Sequence, residues 1–285
     1  SLHAAKLNGK NRCEIFDSVN YMEYIKKLGI QDELRRCISE GFEGFELYFQ
    51  PIYNPQNDKL SGAEALIRWN CSKYGFMEPD KFIPLLEESA LIIPLGRWII
   101  DTAAKACNRW ITNIPDFVMH INLSFVQIVK SNIIKDVLER IGRYSAANNH
   151  YVFEITETIE MDRIPAVERV FKEFIKNDFR LAIDDFGTGY SNYGYMRDKI
   201  FDIVKVDRSF ITDIDKQRNN YLMVSFIIKM AHEMGLHVCI EGVETKEELA
   251  CVRELGADYI QGYYYGKPVC VADFEEQHLK KLILG

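Results

Sequence analysis

Short apolar runs alternate along the chain with longer segments whose apolar residues recur at helical spacing. Several of the short runs are almost continuously apolar, as strands buried on both faces require. We predict eight strands from them: Leu47–Ile52, Gly62–Arg68, Phe117–Asn122, Tyr151–Thr156, Arg180–Asp184, Ile203–Val206, His237–Glu241 and Asp258–Gly262.

Helical patterns occupy the connections between these runs. Ser124 and Thr245 are each followed three residues later by Gln or Glu, the spacing of a capping box. Gly235 and Gly256 each follow a helical pattern and are typical residues for the end of a helix. The predicted helices include Phe82–Ser89, Leu95–Trp110, Asn219–Met234 and Thr245–Leu255.

The alternation of strands and helices predicts an α/β fold with a parallel sheet and crossover helices. About eight strands favour a TIM-like (β/α)8 barrel over an open sheet. A doubly wound sheet is the alternative, but no G-x-G-x-x-G sequence follows the first strand. We therefore predict a barrel.

Composition narrows the function classes. The chain has 285 residues, 47% hydrophobic content and a formal net charge of −7, which does not favour binding to a nucleic acid polymer. Its seven cysteines include no C-x-x-C pair, so we expect free thiols rather than a zinc site. Because no apolar run approaches the length of a membrane span, we expect no membrane contact in this segment and a cytoplasmic location, although a longer parent could be membrane-anchored.

Polar side chains stand at or near the carboxyl end of every predicted strand. The carboxyl ends of barrel strands converge on one mouth, and a set of acids with an amide suits hard cations such as Mg²⁺ or Mn²⁺. A single acid at such a position is more often a surface or ion-pair residue, and Lys205 alone is more often a salt-bridge residue. The joint occurrence at successive strand ends favours a metal site. The residues are Gln50, Glu64, Arg68, Asn122, Glu154, Asp184, Asp185, Lys205, Asp207, Glu241 and Gln261.

The same positions resemble the EAL-domain cyclic-di-GMP phosphodiesterases. The tripeptide Glu64-Ala65-Leu66 stands where that family carries its signature, and similar blocks follow in the family's order over about residues 47–270. They are Phe82–Glu88, Pro94–Trp98, Ile121–Ser124, Phe153–Glu157, Asp184–Ser191, Val204–Asp207, Ile240–Glu244 and Gln261–Tyr263.

This resemblance implies a TIM-like barrel with an antiparallel first strand, and hydrolysis of cyclic di-GMP to linear pGpG with two divalent metals, Mg²⁺ or Mn²⁺. It implies that one metal is held by Glu64, Asn122, Glu154 and Asp184. The second is implied to be held by Asp184, Asp185 and Glu241.

The resemblance also implies roles around the metals. Lys205 and Glu241 would take part in catalysis, Lys205 by contacting the attacking water. The substrate would be bound by Gln50, Leu66, Arg68 and Gln261. Glu157 and Glu244 would stabilise the loop after Asp185, and Glu157 would thereby support catalysis.

The chain departs from the family pattern at Asn192-Tyr193, Lys199-Ile200 and Asn70-Cys71. None of these departures removes an implied metal ligand.

Residues 5–12 resemble the end of a GGDEF domain, or form an ordinary basic turn. We predict a GGDEF-like remnant at 1–17, a linker helix at 18–43 and the barrel domain at 44–285. An upstream GGDEF-like domain and a homodimer are the expected protein partners.

The sequence leaves two other functions open. The first is a catalytically silent cyclic-di-GMP receptor on the same fold; loss of one or more acids would favour it, and all of them are retained. An unrelated barrel enzyme, such as an aldolase that forms a Schiff base on Lys205, would not need so many acids.

Overall fold

The structure is a computed structural model that describes residues 18–156, 164–188 and 200–280. All eight predicted strands are present within a ten-stranded sheet. The strands are β1 Phe45–Asn54, β2 Lys59–Cys71, β3 Gly75–Met77, β4 Val118–Asn122, β5 Tyr151–Thr156, β6 Arg180–Phe186, β7 Ile203–Val206, β8 His237–Glu241, β9 Tyr259–Gln261 and β10 Val269–Cys270.

Eight of these strands close a barrel in the order β1, β9, β8, β7, β6, β5, β4, β2, and the pairing of β1 with β2 completes the ring. Neighbouring strands from β2 through β4 to β9 run parallel, whereas β1 pairs antiparallel with β9. The TIM-like barrel and its reversed first strand are therefore confirmed.

Helices occupy the connections as the sequence predicts. They are α1 Ser18–Ser39, α2 Pro79–Glu88, α3 Ile92–Trp110, α4 Phe125–Lys130, α5 Ile133–Ile141, α6 Pro165–Lys176, α7 Arg218–Glu233, α8 Lys246–Leu255 and α9 Val271–Phe274. Among the described helices, none is both long enough and apolar enough to cross a membrane.

Both predicted capping boxes are formed. Ser124 and Thr245 accept hydrogen bonds from backbone N–H groups of the first turn, and Gln127 and Glu248 bond back to the capping residues. Gly256 ends α8 at φ +84°, a left-handed conformation that glycine adopts without steric cost. These local signals fix where α4 and α8 begin and where α8 ends.

The chain divides into two compact units. One contains the described residues up to 45 together with 69–91, and in it α1 contacts α2, with Phe45, Trp69 and Phe82 packed as an aromatic group. Helix α1 lies within the predicted linker segment, and its linker role stays a prediction.

The second unit, residues 46–68 and 92–280, contains the barrel. A layer of buried side chains fills its interior: Ile52, Val152, Ala182, Ile203 and Cys239. Each of these five residues lies two positions from a polar site residue on the same strand. Because strand side chains alternate between faces, the next inward layer toward the carboxyl ends of the parallel strands is the polar one.

Candidate active site

Lys205 is the centre of the polar layer. Its side chain is fully buried on β7, and its Nζ atom contacts carboxylates from four other strands. The distances from Nζ are 2.7 Å to Glu241 Oε1, 2.8 Å to Glu154 Oε2, 3.2 Å to Asp184 Oδ1 and 3.3 Å to Glu64 Oε2. Four of the predicted site acids, Glu64, Glu154, Asp184 and Glu241, therefore converge on one ammonium group, although Glu64 lies in the middle of β2 and not at its end.

Three amide side chains form hydrogen bonds beside this ion cluster. Gln261 Nε2 donates to Glu64 Oε2 at 2.6 Å and to Gln50 Oε1 at 3.0 Å, and Asn122 Nδ2 donates to Glu64 Oε1 at 2.5 Å. Gln50 Nε2 in turn donates to the backbone carbonyl of Gly266 at 3.3 Å. Both oxygens of Glu64 are thus held by amide donors.

The pKa values of the clustered carboxylates are shifted in opposite directions. Burial would raise the pKa of Glu64, but Lys205 and the hydrogen bonds from Gln261 and Asn122 lower it to about 2. Burial raises the pKa of Glu241 to about 8 and also raises the pKa values of Asp184 and Glu154, despite the nearby ammonium group. One buried ammonium group is not enough positive charge for four buried carboxylates.

Asp184 and Asp185 lie at an irregularity in β6. The strand does not end at Asp184, as its sequence suggests, but continues to Phe186, and its register with β7 shifts between Ile183 and Phe186. Asp185 has φ +54°, a left-handed conformation that Asp tolerates better than most residues. A bulge of this kind redirects side chains and is common beside active sites.

The redirected side chains form a group suited to a cation. Asp184, Asp185 and Glu241 each offer a carboxylate oxygen, and these atoms lie within 4.8 Å of one another. Asp184 Oδ1 is buried and, although it lies near Lys205 Nζ, accepts no hydrogen bond of acceptable geometry. A buried carboxylate oxygen with spare coordination capacity, beside two further carboxylates, suits a hard divalent cation.

His120 was not among the predicted site residues. It is buried on β4, and its Nδ1 lies 2.7 Å from Glu154 Oε1. Burial and the charge of Lys205 lower the pKa of His120 to about 3, so the ring is neutral at pH 7. Its position two residues before Asn122 on the same strand was the signal that could have found it, because both side chains then share one face.

The remaining predicted residues lie around this centre or outside the described residues. Arg68 donates to the Ile67 carbonyl and stands 5.7 Å over the Tyr48 ring, and Leu66 is half-buried on the same strand. The Glu244 backbone N–H donates to Glu248, and the Glu244 side chain is exposed. Glu157 and residues 189–199 lie outside the described residues, so their assigned roles stay predictions.

Comparison with known families identifies this barrel. Residues 31–268 match the family described as EAL domain. The chain belongs to the EAL domain family. The resemblance carried by Glu64-Ala65-Leu66 and the later blocks is therefore confirmed.

Named relatives of this EAL chain include phosphodiesterases. It is 30% identical over 277 residues to the cyclic di-GMP phosphodiesterase NbdA of Pseudomonas aeruginosa, an alignment that covers 97% of this chain and 35% of NbdA. It is 31% identical over 264 residues to the probable cyclic di-GMP phosphodiesterase PdeG of Escherichia coli, covering 92% of this chain and 51% of PdeG.

Solved EAL structures share the fold. The PaMucR phosphodiesterase in complex with c-di-GMP matches with a TM-score of 0.80 and 28% identity, over 86% of this chain and 99% of that chain. The EAL enzyme Bd1971 in its cGMP-bound form matches with a TM-score of 0.84 and 31% identity, over 90% of this chain and 71% of the Bd1971 chain. The EAL chain spans no more than 40% of the length of five curated relatives that it matches.

Proposed function

We propose that this EAL domain is a metal-dependent phosphodiesterase that hydrolyses cyclic di-GMP to linear pGpG. The observation that carries the proposal is the convergence of four buried-layer carboxylates on Lys205, with Asp185 brought beside Asp184 and Glu241 by the bulge in β6. The names of NbdA and PdeG support the reaction and substrate class.

The acidic layer would hold two divalent metals, Mg²⁺ or Mn²⁺. Glu64, Asn122, Glu154 and Asp184 would hold one, and Asp184, Asp185 and Glu241 the other. When bound, such ions supply positive charge for attack on an anionic phosphodiester and lower the pKa of bound water. Their charge would also compensate the buried carboxylates that Lys205 alone does not neutralise.

Residues around the acidic layer would orient the water and the substrate. The Lys205 ammonium group lies among the proposed metal ligands, so it would contact the attacking water, and Glu241 on the adjacent strand would help to place that water. Gln50 and Gln261, linked by a hydrogen bond of 3.0 Å, would form one wall of the substrate site. Arg68 and the Leu66 backbone would bind phosphate at the end of β2.

Two further acids would act through the loop that follows Asp185. Glu157 and Glu244 would stabilise this loop and thereby keep Asp185 in place for the second metal. The backbone of Glu244 is fixed to Glu248 at the start of α8, which supports a constant position for that residue.

A homodimer and an upstream GGDEF-like domain are the proposed protein partners. Helix α7 exposes a cluster of large apolar side chains, Leu222, Met223 and Phe226, which supports an interface with a second copy. The name of MucR, a bifunctional diguanylate cyclase and phosphodiesterase, supports a partner domain of the cyclase type.

The proposal is tested by incubating the purified domain with cyclic di-GMP and Mn²⁺ or Mg²⁺ and measuring pGpG by chromatography. Glu64→Gln is the matched inactive variant, because it keeps the shape and removes the charge of a proposed ligand. A silent receptor would bind cyclic di-GMP without producing pGpG.

The structure disfavours an aldolase that uses Lys205. The four carboxylates around Lys205 hold its Nζ as an ammonium ion rather than a nucleophilic amine.

A further inference from the structure

A cavity of about 610 Å³ opens at the amino-terminal ends of the parallel strands. Its lining includes Ser61, Val118, Arg180, Ile203 and Tyr259, which stand at or near the first residue of β2, β4, β6, β7 and β9. The Lys205 cluster lies at the opposite, carboxyl ends of the same strands. The cavity is therefore on the other side of the barrel from the proposed substrate site.

His120 belongs to both regions. It lines the cavity, and its Nδ1 lies 2.7 Å from Oε1 of Glu154. The other oxygen of Glu154, Oε2, lies 2.8 Å from Lys205 Nζ. Glu154 is thus held at one oxygen by Lys205 and at the other by a histidine that also lines the cavity on the opposite side of the barrel.

We propose that His120 is a positioning residue for Glu154, and that the cavity gives small solutes access to their hydrogen bond without passing the substrate site. The inference rests on the proposed role of Glu154 as a metal ligand. A metal-bound carboxylate is ionised and only accepts hydrogen bonds, so His120 Nδ1–H donates and fixes the rotation of the carboxylate. Groups that orient metal ligands in this way typically change metal affinity by about 10–100-fold when they are lost.

The first test measures Mn²⁺ affinity by electron paramagnetic resonance, without substrate. His120→Leu fills the space but cannot donate, whereas His120→Asn places an amide N–H near the position of Nδ1. We expect His120→Leu to weaken Mn²⁺ binding by about 10–100-fold and His120→Asn to bind within about 3-fold of the unmodified chain. His150→Ala is the control, because His150 lines the same cavity but bonds to the Phe117 carbonyl.

The second test concerns access through the cavity. His120→Gly leaves room for a free imidazole molecule, so millimolar imidazole should restore its Mn²⁺ affinity. Imidazole should have no such effect on His120→Leu, whose side chain occupies the space, and that variant also corrects for binding of imidazole to free Mn²⁺. Thermal unfolding of each variant establishes that it is folded before Mn²⁺ is added.

The outcomes separate the parts of the proposal. Unchanged Mn²⁺ affinity in folded His120→Leu would overturn the positioning role. Weakened binding in His120→Gly that imidazole does not restore would overturn access through the cavity. Mn²⁺ binding by the unmodified chain without pGpG formation would refute the proposed reaction and leave the role of His120 intact, because the affinity measurement uses no substrate.

Discussion

Lys205 Nζ lies 2.7 Å from Glu241 Oε1, and the two residues stand on the adjacent parallel strands β7 and β8. Since Nζ also contacts Glu64, Glu154 and Asp184, this ammonium group touches four proposed metal ligands without being a ligand itself. A group in that position can orient a water molecule among the ligands. Its removal should therefore affect chemistry more than substrate binding.

We expect Lys205→Met to lower the turnover of cyclic di-GMP by about 100-fold or more, because a reactant displaced by about 1 Å can cost that much in rate. The dissociation constant for cyclic di-GMP, measured by calorimetry with Ca²⁺, should change by less than about 5-fold. Lys59→Met, an exposed lysine at the opposite end of the barrel, is the control. A parallel collapse of affinity and turnover would show instead that Lys205 anchors the substrate or the fold.

Metal removal should abolish hydrolysis. Treatment with EDTA followed by dialysis should stop pGpG formation, and Mg²⁺ or Mn²⁺ should restore it, whereas the larger Ca²⁺ should support binding but little turnover. Mn²⁺ at about 100 times its dissociation constant should also stabilise the folded chain by about 2.7 kcal/mol for each site that it fills, seen as a rise in Tm. Asp184→Asn, which weakens a proposed ligand of both metals, should lose most of that rise. Full activity after EDTA would contradict the metal-dependent mechanism.

The stability of the barrel should depend on pH through Asp258. Its carboxylate bonds to His232 at 2.8 Å, to His237 at 3.4 Å and to the Val238 N–H at 2.8 Å. Burial would raise the pKa of Asp258, but the bonds from the two histidines lower it to about 2, and the bond to Asp258 raises the pKa of His237. The ionised Asp258 therefore adds its full contribution to the free energy of unfolding above its unfolded pKa of 3.8, and this contribution is lost as pH falls toward 2. The protonated His237 adds its full contribution to the free energy of unfolding below its unfolded pKa of 6.5, and this contribution is lost as pH rises through the raised pKa of the folded chain.

Urea unfolding of the unmodified chain and of Asp258→Asn checks this assignment. The difference in unfolding free energy should be largest between about pH 4 and 6.5 and smaller by about 1 kcal/mol at pH 8.5, a modest change because the histidines are partly exposed. His237→Gln should remove the same pH dependence. An equal difference at pH 5.5 and pH 8.5 would show that the histidine charge contributes nothing.

The sequence was most informative where local chemistry decides structure. The strands Tyr151–Thr156, Ile203–Val206 and His237–Glu241 have the predicted bounds because their apolar runs are bounded by clear turn or cap signals. The capping boxes at Ser124 and Thr245 are formed for the same reason, since the contacts that define them span only three residues. The convergence of the strand-end acids followed from parallel topology.

Features that depend on long-range pairing could not be predicted from the pattern. Periodicity does not encode strand direction, so the reversal of β1 rested on family resemblance alone. The bulge that places Asp185 beside Glu241 depends on the register between β6 and β7. The contact between His120 and Glu154 joins residues 34 positions apart, and a single histidine in an apolar strand gives no sign of its partner.

Gly187 should matter for the second metal because of its backbone. It has φ +97°, and a Cβ at this position would lie 2.8 Å from two ring carbons of Phe210. The adjacent turn is closed by hydrogen bonds from Thr188 to the Asp185 carbonyl, at 3.2 Å from its N–H and 2.8 Å from its hydroxyl. Gly187→Ala must therefore shift either Phe210 or the backbone that positions Asp185.

We expect Gly187→Ala to destabilise the chain by about 1–3 kcal/mol and to raise the Mn²⁺ concentration needed for half-maximal activity by about 10-fold or more. Gly75→Ala is the matched control, since Gly75 has φ +72° but no atom within 4 Å of the added Cβ. That variant carries similar backbone strain far along the chain from Asp184, Asp185 and Glu241, so it should lose stability and keep its metal dependence. If both variants lose stability and neither changes the half-activating Mn²⁺ concentration, the backbone at Gly187 does not position Asp185. A change confined to Gly187→Ala would tie the second metal to the conformation of this turn.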